Sequence, residues 1–325
     1  MKTLQYSLIA ACVLAYSVPA AAAGAADTYP SRPVRIVVDF PAGGTIDTLA
    51  RIVGQQLSDT WNQPVVVENR PGAGGNIGAH EVFTAEADGY TLLATPPGPL
   101  SINEYLYKDI AFRPAEFTAV GMLATSPNAI TVSTRVPAKS VQELISHAKA
   151  NPGKLSYGSQ GNGSTSHLTG QLFATLSGTS LVHVPYKGEG PALTDLMAGR
   201  IDVFFGNISA ALRLRETGKL RILAVASSQR SAIAPDVPSS KEAGFPGFDS
   251  SAWFALMAPP GTPAPIVQKI NDALTAMLKK EDIKQKFLAQ GAEAVAATPA
   301  ETNAFIESER VRWKKVIADA GVTLD

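Results

Sequence analysis

The residues best suited to chemistry lie in two glycine-rich loops, residues 39–47 (DFPAGGTID) and residues 159–167 (SQGNGSTSH). Each loop follows a β-strand pattern and precedes a helical one. The backbone N–H groups in the first turn of a helix lack partners within the helix and attract anions, and glycines let a ligand approach the backbone closely. Each loop alone also fits a tight turn without a ligand. Together they predict a site that holds an anion, such as a carboxylate, without a cationic side chain.

Both loops carry residue types that are typical of helix starts. Thr45 is the expected N-cap of the first helix, and Asp47 falls in the first turn, where a carboxylate suits the helix dipole and where it can pair with Arg51. In the second loop Ser164 and Thr165 add hydroxyl donors, although a serine at this position is more often a cap. The predicted ligand-binding residues, which include three side chains at strand ends, are Gly43, Gly44, Thr45, Ile46, Asp47, Thr95, Ser159, Gly161, Asn162, Gly163, Ser164, Thr165, Tyr186 and Asn207.

Other kinds of site lack their motifs in this sequence. No lysine follows the glycines of the first loop, as a P-loop requires, and residues 72–78 (GAGGNIG) miss the dinucleotide-binding spacing. The sequence has no G-x-S-x-G nucleophile elbow. Its four histidines include no close metal-binding pair. We therefore predict no catalytic residue, metal or cofactor.

The histidines and one lysine near the loops have expected roles of their own. His167 lies close to the predicted site and is a weaker candidate for ligand contact. His183 alternates with apolar residues in a strand and is expected to be structural, whereas His147 is expected to face solvent on a helix. Lys187, which follows the strand of His183, is expected to be solvated.

Length and composition fit an ordinary globular protein. The chain has 325 residues, of which 45% are hydrophobic and 17% are charged, which is enough for two medium domains or one large domain with a sizeable core. Lys+Arg and Asp+Glu are both 28. This balance gives no sign of a nucleic-acid partner.

The N-terminus has the pattern of an export signal. A single lysine is followed by an apolar run and then by small residues, so residues 1–26 are predicted to be a signal peptide cleaved after Ala23 or Ala26. Cys12, the only cysteine, lies inside this segment, so the mature protein has no disulfide or thiol nucleophile. Residues 9–12 (IAAC) resemble a lipobox, and lipid anchoring at Cys12 is the alternative to a soluble periplasmic protein.

The mature chain alternates strand and helix patterns, which predicts an α/β fold with mainly parallel sheets. Two such series follow each other without a flexible linker, so we expect two lobes joined by crossing strands near residues 121–127 and 222–229. Lobe 1 is predicted to comprise residues 27–124 and 228–325, and lobe 2 residues 125–227. Ligands of open α/β folds bind at the carboxyl ends of strands, so the cleft between the lobes is the expected site.

Six stretches, in order along the mature chain, resemble the tripartite tricarboxylate transporter substrate-binding proteins, also called Bug receptors. They are YPSRPVRIVVDFPAGGTIDTLAR, VVVENRPGAGGNIGA, DGYTLL, SQGNGSTSHL, VPYKGEGPALTDLMAGRIDVFFGN and APPGTPAPIVQKIN. The resemblance implies a two-lobed periplasmic binding protein of type II. It further implies that backbone groups and ordered waters from both lobes hold the carboxylate of a small organic acid. The matching positions here are residues 43–47 and 159–165.

The same resemblance implies two integral membrane partners, one small and one large, that accept the ligand from a receptor acting as a monomer. The predicted function is therefore that of a periplasmic solute receptor. Two alternatives remain at this stage. One is an exported sensor subunit that presents the bound acid to a membrane signalling protein, and the other is an exported enzyme that acts on a small acid.

Two residues depart from the pattern of the resembling family. Asp39 stands where a proline or small residue is usual, and an acid near the anion site would repel the ligand unless it points away or is paired. Gly206 stands where many members have an acidic residue. Its presence weakens the case for a ligand ammonium group and predicts room for a bulkier or purely acidic ligand.

Overall fold

The computed structural model describes residues 28–321. The predicted signal peptide, its cleavage site and Cys12 lie outside the described residues. None of the helices within residues 28–321 has the length and hydrophobicity that crossing a bilayer requires.

Strands and helices alternate along most of the described chain. The strands are β1 (Val34–Val38), β2 (Val65–Asn69), β3 (Thr91–Thr95), β4 (Thr118–Ser133), β5 (Ser156–Ser159), β6 (Val182–Pro185), β7 (Val203–Asn207), β8 (Leu220–Val225), β9 (Ser251–Ala258) and β10 (Glu293–Ala294). The α-helices are α1 (Thr45–Trp61), α2 (Asn76–Phe83), α3 (Val141–Ala150), α4 (Thr165–Ser177), α5 (Glu189–Ala198), α6 (Ile208–Arg215), α7 (Ala264–Leu278), α8 (Glu281–Ala289) and α9 (Pro299–Ala320).

The first lobe is built on a sheet in which β2, β1 and β3 run parallel. β9 joins this sheet antiparallel to β3, and β4 pairs antiparallel with β9 and with β10. The strand β9 was not predicted. Its sequence SAWFALMA is buried at almost every position, so it lacks the alternation of polar and apolar residues that identifies a half-buried strand.

The second lobe repeats this arrangement. β5 runs parallel to β6 and β7, and β4 pairs antiparallel with β7 and β8. The 16-residue strand β4 thus runs through both sheets. Its first part pairs with β9 in the first lobe, and its last part pairs with β7 in the second. The predicted α/β fold with two lobes and parallel strands in each is confirmed, with antiparallel β4 and β9 completing the sheets.

The polypeptide passes between the lobes at two places. One is β4, which includes the predicted crossing at residues 121–127. The other lies near Ser250, just before β9. There the Asn128 amide donates to the Ser250 carbonyl, and the Ser250 amide donates to the Ala226 carbonyl. Phe245 and Phe248, just before β9, pack in the core of the second lobe. The lobe limits given by the sequence stay a prediction.

The helix that follows the first site loop, α1, is held against its sheet by an apolar face. In α1 the apolar residues predicted for one face are all buried: Ile46, Leu49, Ala50, Val53 and Leu57. They pack with β1, β3 and α7 in the main core of the first lobe. Burial of this face positions the N-terminus of α1 at the carboxyl end of β1.

The C-terminal helix α9 touches both lobes. Trp313 and Ile317 pack with Ile102 and Leu106 of the first lobe and with Leu168 of α4. Arg310 forms two hydrogen bonds to Glu104, at 2.6 and 2.9 Å. This cluster connects the two lobes through α9.

Candidate ligand cleft between the lobes

A cavity of about 460 Å³ lies between the two lobes. Both predicted loops line it, the first through residues 40–46 and the second through Gln160, Ser164 and Thr165. Of the predicted ligand-binding residues, the structure brings seven to this cavity: Gly43, Gly44, Thr45, Ile46, Ser164, Thr165 and Asn207.

The first loop ends in a helix start that carries no side-chain cap. Gly44, with an extended backbone (φ −77°, ψ 169°), is the N-cap, so the prediction that Thr45 caps the helix was wrong. Thr45 is instead the first helical residue. A glycine N-cap has no side chain that could accept a hydrogen bond from the first turn. The amides of Gly44, Thr45 and Ile46 have no hydrogen-bond partner within the described chain, and all three residues line the cavity.

Asp47 shapes the first loop from behind. Its carboxylate accepts hydrogen bonds from the Gly43 amide and from Asn69, each at 2.9 Å, and pairs with Arg51 at 2.9 Å. Burial favours a higher pKa, but the hydrogen bonds from Arg51, Gly43 and Asn69 outweigh it and lower the pKa of Asp47. The predicted pair with Arg51 is confirmed. Asp47 does not line the cavity and acts on it only through the loop's backbone.

The second loop uses most of its polar groups internally. Ser164 caps α4 by accepting from the His167 amide, and its hydroxyl donates to the Gly161 carbonyl at 2.6 Å. The Gln160 amide donates to Ser166 at 2.8 Å. The two predicted donors were the hydroxyls of Ser164 and Thr165. Of these, the Thr165 hydroxyl has no hydrogen-bond partner within the described chain, and Thr165 lines the cavity.

Asn207 connects the lobes across the cavity. Its Nδ2 makes a long hydrogen bond of 3.5 Å to Thr45 Oγ1. Its Oδ1 is buried and has no partner within the described chain. A buried oxygen in this state is costly unless a ligand or water donates to it. Asn207 is thus positioned to accept a hydrogen bond at the point where the lobes meet.

Thr95 and Asp39 form a pair below the first loop. Thr95 is fully buried, does not line the cavity, and donates its hydroxyl to Asp39 at 2.5 Å. The other Asp39 oxygen has no partner within residues 28–321. Burial raises the pKa of Asp39 well above its usual range, and the bond from Thr95 offsets this only in part. A raised pKa reduces the negative charge that Asp39 carries, so burial weakens its repulsion of an anion at the first loop.

The remaining predicted residues lie beside or behind the main cavity. Gly161, Asn162 and Tyr186 line a neighbouring cavity of about 540 Å³, which also includes the glycine turn Ala73–Gly75. The Tyr186 hydroxyl donates to Asp195 at 2.8 Å, and burial with that bond raises the pKa of Tyr186 to about 12. Gly163 packs against Asn103, outside both cavities.

Two histidines stack under the second loop. The rings of His167 and His183 lie 4.0 Å apart between centroids and are nearly parallel, and His183 Nε2 is 2.7 Å from Ser159 Oγ. Burial lowers the pKa of His183 to about 4 and, with the charge of its neighbour, that of His167 to about 3. The structural role predicted for His183 is confirmed, and Ser159 contacts this stack instead of the cavity. Within residues 28–321 no group of three His, Cys, Asp or Glu side chains is placed to hold a metal.

Gly206 does not leave the predicted space for a bulkier ligand. A Cβ atom at this position would meet the Phe204 ring at 2.2 Å, and Phe204 is fully buried in the second lobe. The ring occupies the volume that an acidic side chain would need. The expectation of free space was wrong because the ring of Phe204, two residues earlier on β7, fills it, and the direction of that side chain is not visible in a local motif.

Several cavity residues were missed in the sequence. Lys187 is exposed, as expected, and also lines both cavities. Glu189 and Arg213 line the main one. The same cavity is also lined by apolar residues, which are Pro191, Leu193, Met197, Ala210, Leu214 and Phe254. The sequence signal that could have identified these residues is that α5 and α6 begin shortly after strand ends, where ligands of α/β folds bind. The face that each helix turns to the cleft depends on how the helix packs within the second lobe.

Comparison with known proteins gives a consistent picture. Residues 49–322 match the family model described as the tripartite tricarboxylate transporter family receptor. Protein BugT of Bordetella pertussis is 39% identical over 306 residues, which are 94% of each chain.

Two solved structures extend this comparison. The chain is similar to R. palustris Rpa4515 with adipate, at 39% identity and a TM-score of 0.87, covering 91% of this chain and 100% of that one. It is also similar to MatC (Rpa3494) from Rhodopseudomonas palustris with bound malate, at 34% identity and a TM-score of 0.82, covering 89% and 100%. These likenesses support the two-lobed periplasmic-binding-protein fold. The chain belongs to the tripartite tricarboxylate transporter receptor family.

Proposed function

We propose that this protein is an exported receptor that binds the carboxylate of a small organic acid between its lobes and delivers the acid to a membrane transporter. It works as a periplasmic monomer with two integral membrane partners. The ligand bridges the lobes and favours the closed state, because it binds that state more tightly than the open one.

One observation carries this proposal. The amides of Gly44, Thr45 and Ile46 begin a 17-residue helix, lack partners within the described chain, and border a cavity. Such an arrangement favours a negative group through hydrogen bonds and through the helix dipole. The free Thr165 hydroxyl and the start of α4 approach the same cavity from the other lobe.

The charges around the cavity support an acidic ligand. Its charged lining residues are Lys187, Glu189 and Arg213, two cations against one carboxyl group. Relatives support it too, since Rpa4515 was solved with adipate and MatC with malate. The family is one of receptors, which favours binding and delivery of an unchanged acid over catalysis.

A pair of substitutions at Thr45 tests the proposal. Thr45 is the first residue of α1 and follows an extended glycine, so proline is sterically suited to this position and removes only the amide donor and the side chain. Thr45→Ala removes the side chain and keeps the amide. We expect Thr45→Pro to weaken acid binding about tenfold or more, and Thr45→Ala to weaken it a few-fold at most.

Binding is measured by calorimetry of the mature protein with adipate, malate and hexanoate, after denaturation and refolding to remove any acid retained from expression. Thermal unfolding shows that each variant is folded. Equal binding by Thr45→Pro and Thr45→Ala would contradict the role of the helix amides. Failure of every acid to bind the ligand-free protein would overturn the proposed function.

A further inference from the structure

The end of the cavity away from the first loop carries a charged group of its own. Ala210 and Arg213 line the cavity from α6, and Asn207, the N-cap of that helix, lines it three residues before Ala210. Spacings of three residues place side chains on one face of a helix. Asn207 contacts Thr45 at the first loop. Arg213 is six residues further on, about 9 Å along the helix axis. The backbone of Arg213 is therefore separated from that of Asn207 by about the length of a small ligand.

Arg213 has no ion-pair partner within residues 28–321, and neither has Lys187. Arg213 differs in this respect from Arg215. Arg215, on the same helix, pairs with Asp236 at 2.5 Å and does not line the cavity. An arginine that lines a cavity and has no carboxylate within ion-pair distance is suited to bind the acidic group of a ligand.

The space between the two ends is apolar. Leu193 and Met197 line it from α5, and Leu214 lines it from α6. A ligand that reaches from the helix amides to Arg213 must cross this wall, which favours methylene groups over polar ones.

Glu189 lines the cavity from the start of α5 and lies close enough to Arg213 for their charges to interact. Its Oε1 is buried and has no hydrogen-bond partner within the described chain. Burial raises the pKa of Glu189 to about 7, and the charge of Arg213 and a hydrogen bond with Gln160 offset the increase only in part. Among the described lining residues, the charged groups around it are Arg213 from α6 and Lys187 from the preceding loop. A second carboxylate placed here would favour the protonated form of Glu189.

We propose that Arg213 and Glu189 form a distal subsite that selects acids with a second acidic group, Arg213 as the counter-ion and protonated Glu189 as a hydrogen-bond donor. This inference rests on the proposed function, in which the helix amides hold the first carboxylate. Its consequence is that a dicarboxylate with an apolar middle binds with uptake of a proton by Glu189, whereas a monocarboxylate of equal length does not.

Calorimetry with adipate, hexanoate and 6-aminohexanoate tests the subsite. These probes share a six-carbon chain and differ at the distal end. Titrations at pH 7 in PIPES and in Tris report proton uptake, because the two buffers differ in ionisation enthalpy. We expect adipate to bind at least about tenfold more tightly than hexanoate, with uptake of up to about half a proton.

Three variants assign the effect to residues. Arg213→Gln should remove the preference for adipate, Arg213→Lys should restore part of it, and Glu189→Gln should abolish proton uptake. Arg215→Gln is the matched control and should retain both the preference and the uptake.

Each alternative outcome has a distinct meaning. Equal binding of adipate and hexanoate, with both still weakened by Thr45→Pro, would overturn the distal subsite and leave the proposed function intact. Tighter binding of 6-aminohexanoate than of adipate would also overturn it, since Glu189 would then recognise a cation. Loss of binding for all three acids would instead count against the proposed function.

Discussion

The two loops that border the cleft look alike in sequence and differ in how they use their polar groups. In the first loop, Asp47 binds the Gly43 amide from behind, and the next three amides remain free. In the second loop, Ser164 and Ser166 bond to nearby backbone groups, so the loop satisfies most of its own donors. A glycine N-cap leaves amides for a ligand, whereas a serine N-cap uses one of them. The first loop is thus the stronger anion site, and the second loop offers fewer free donors to a ligand.

Removing Asp47 should have the largest effect on stability and on acid binding of the substitutions in the two loops. Asp47→Ala leaves Arg51, Asn69 and the Gly43 amide without their shared acceptor. We expect a loss of about 3 kcal/mol in the free energy of unfolding and loss of detectable acid binding. Urea unfolding and calorimetry with adipate measure the two effects.

Asp59→Ala provides the matched control on the same helix. Asp59 accepts an exposed hydrogen bond from Gln55 at 2.8 Å, and its removal should cost less than about 0.5 kcal/mol. If Asp47→Ala bound adipate as the wild type does, the first loop would not depend on Asp47 for its shape.

Substitutions at Ser164 and Thr165 should separate stability from binding in the second loop. Ser164→Ala removes the cap of α4 and should lower the free energy of unfolding by about 1 kcal/mol. Thr165→Val removes a hydroxyl that has no partner within the described chain and should leave stability nearly unchanged. It should weaken adipate binding about threefold. If Ser164→Ala lost more binding than Thr165→Val under conditions where both variants are folded, Ser164 would contribute to ligand binding and not only to capping. The second loop would then resemble the first in its contribution to binding.

The carboxyl groups associated with the two loops should respond to pH in opposite directions. The pKa of Asp47 is lowered, so its stabilisation is present at neutral pH and is lost as pH falls through the acid range. The pKa of Glu189 is raised to about 7, so stability is lost as pH rises from about 4.5, the unfolded value, to about 7. In ligand-free protein, Glu189→Gln should raise the Tm at pH 8 by about 2 °C and leave it unchanged at pH 4. A Tm difference that did not vary with pH would contradict this assignment.

Much of the fold followed from local patterns. The buried face of α1, the parallel strands before each loop and the pair of Asp47 with Arg51 were predicted because each depends on spacing within one element. The strand β9 was missed, since its continuous apolar run gives no period. The N-cap at Thr45 was misassigned by one residue, because threonine and glycine are both acceptable caps and the backbone angles decide between them.

The site was predicted in part. Glycine-rich turns at helix starts identified the residues of the first loop that line the cavity, together with Ser164, Thr165 and Asn207. Thr95 and Ser159 have the right residue types at strand ends, yet their hydroxyls bond to Asp39 and to His183. Those partners are 56 and 24 residues away in the chain, beyond the reach of any local motif.

By itself, then, the sequence determined the alternation of strands and helices, the two helix starts and the family resemblance, because these are properties of short segments and of their order. Only the tertiary structure decided which donors remain free and which charges face the cleft. Asp39 lies below the first loop as a buried carboxyl, and Arg213 faces the cavity while Arg215 pairs with Asp236. Hydrogen-bond satisfaction, burial and the rotation of a helix relative to its neighbours depend on contacts between distant segments.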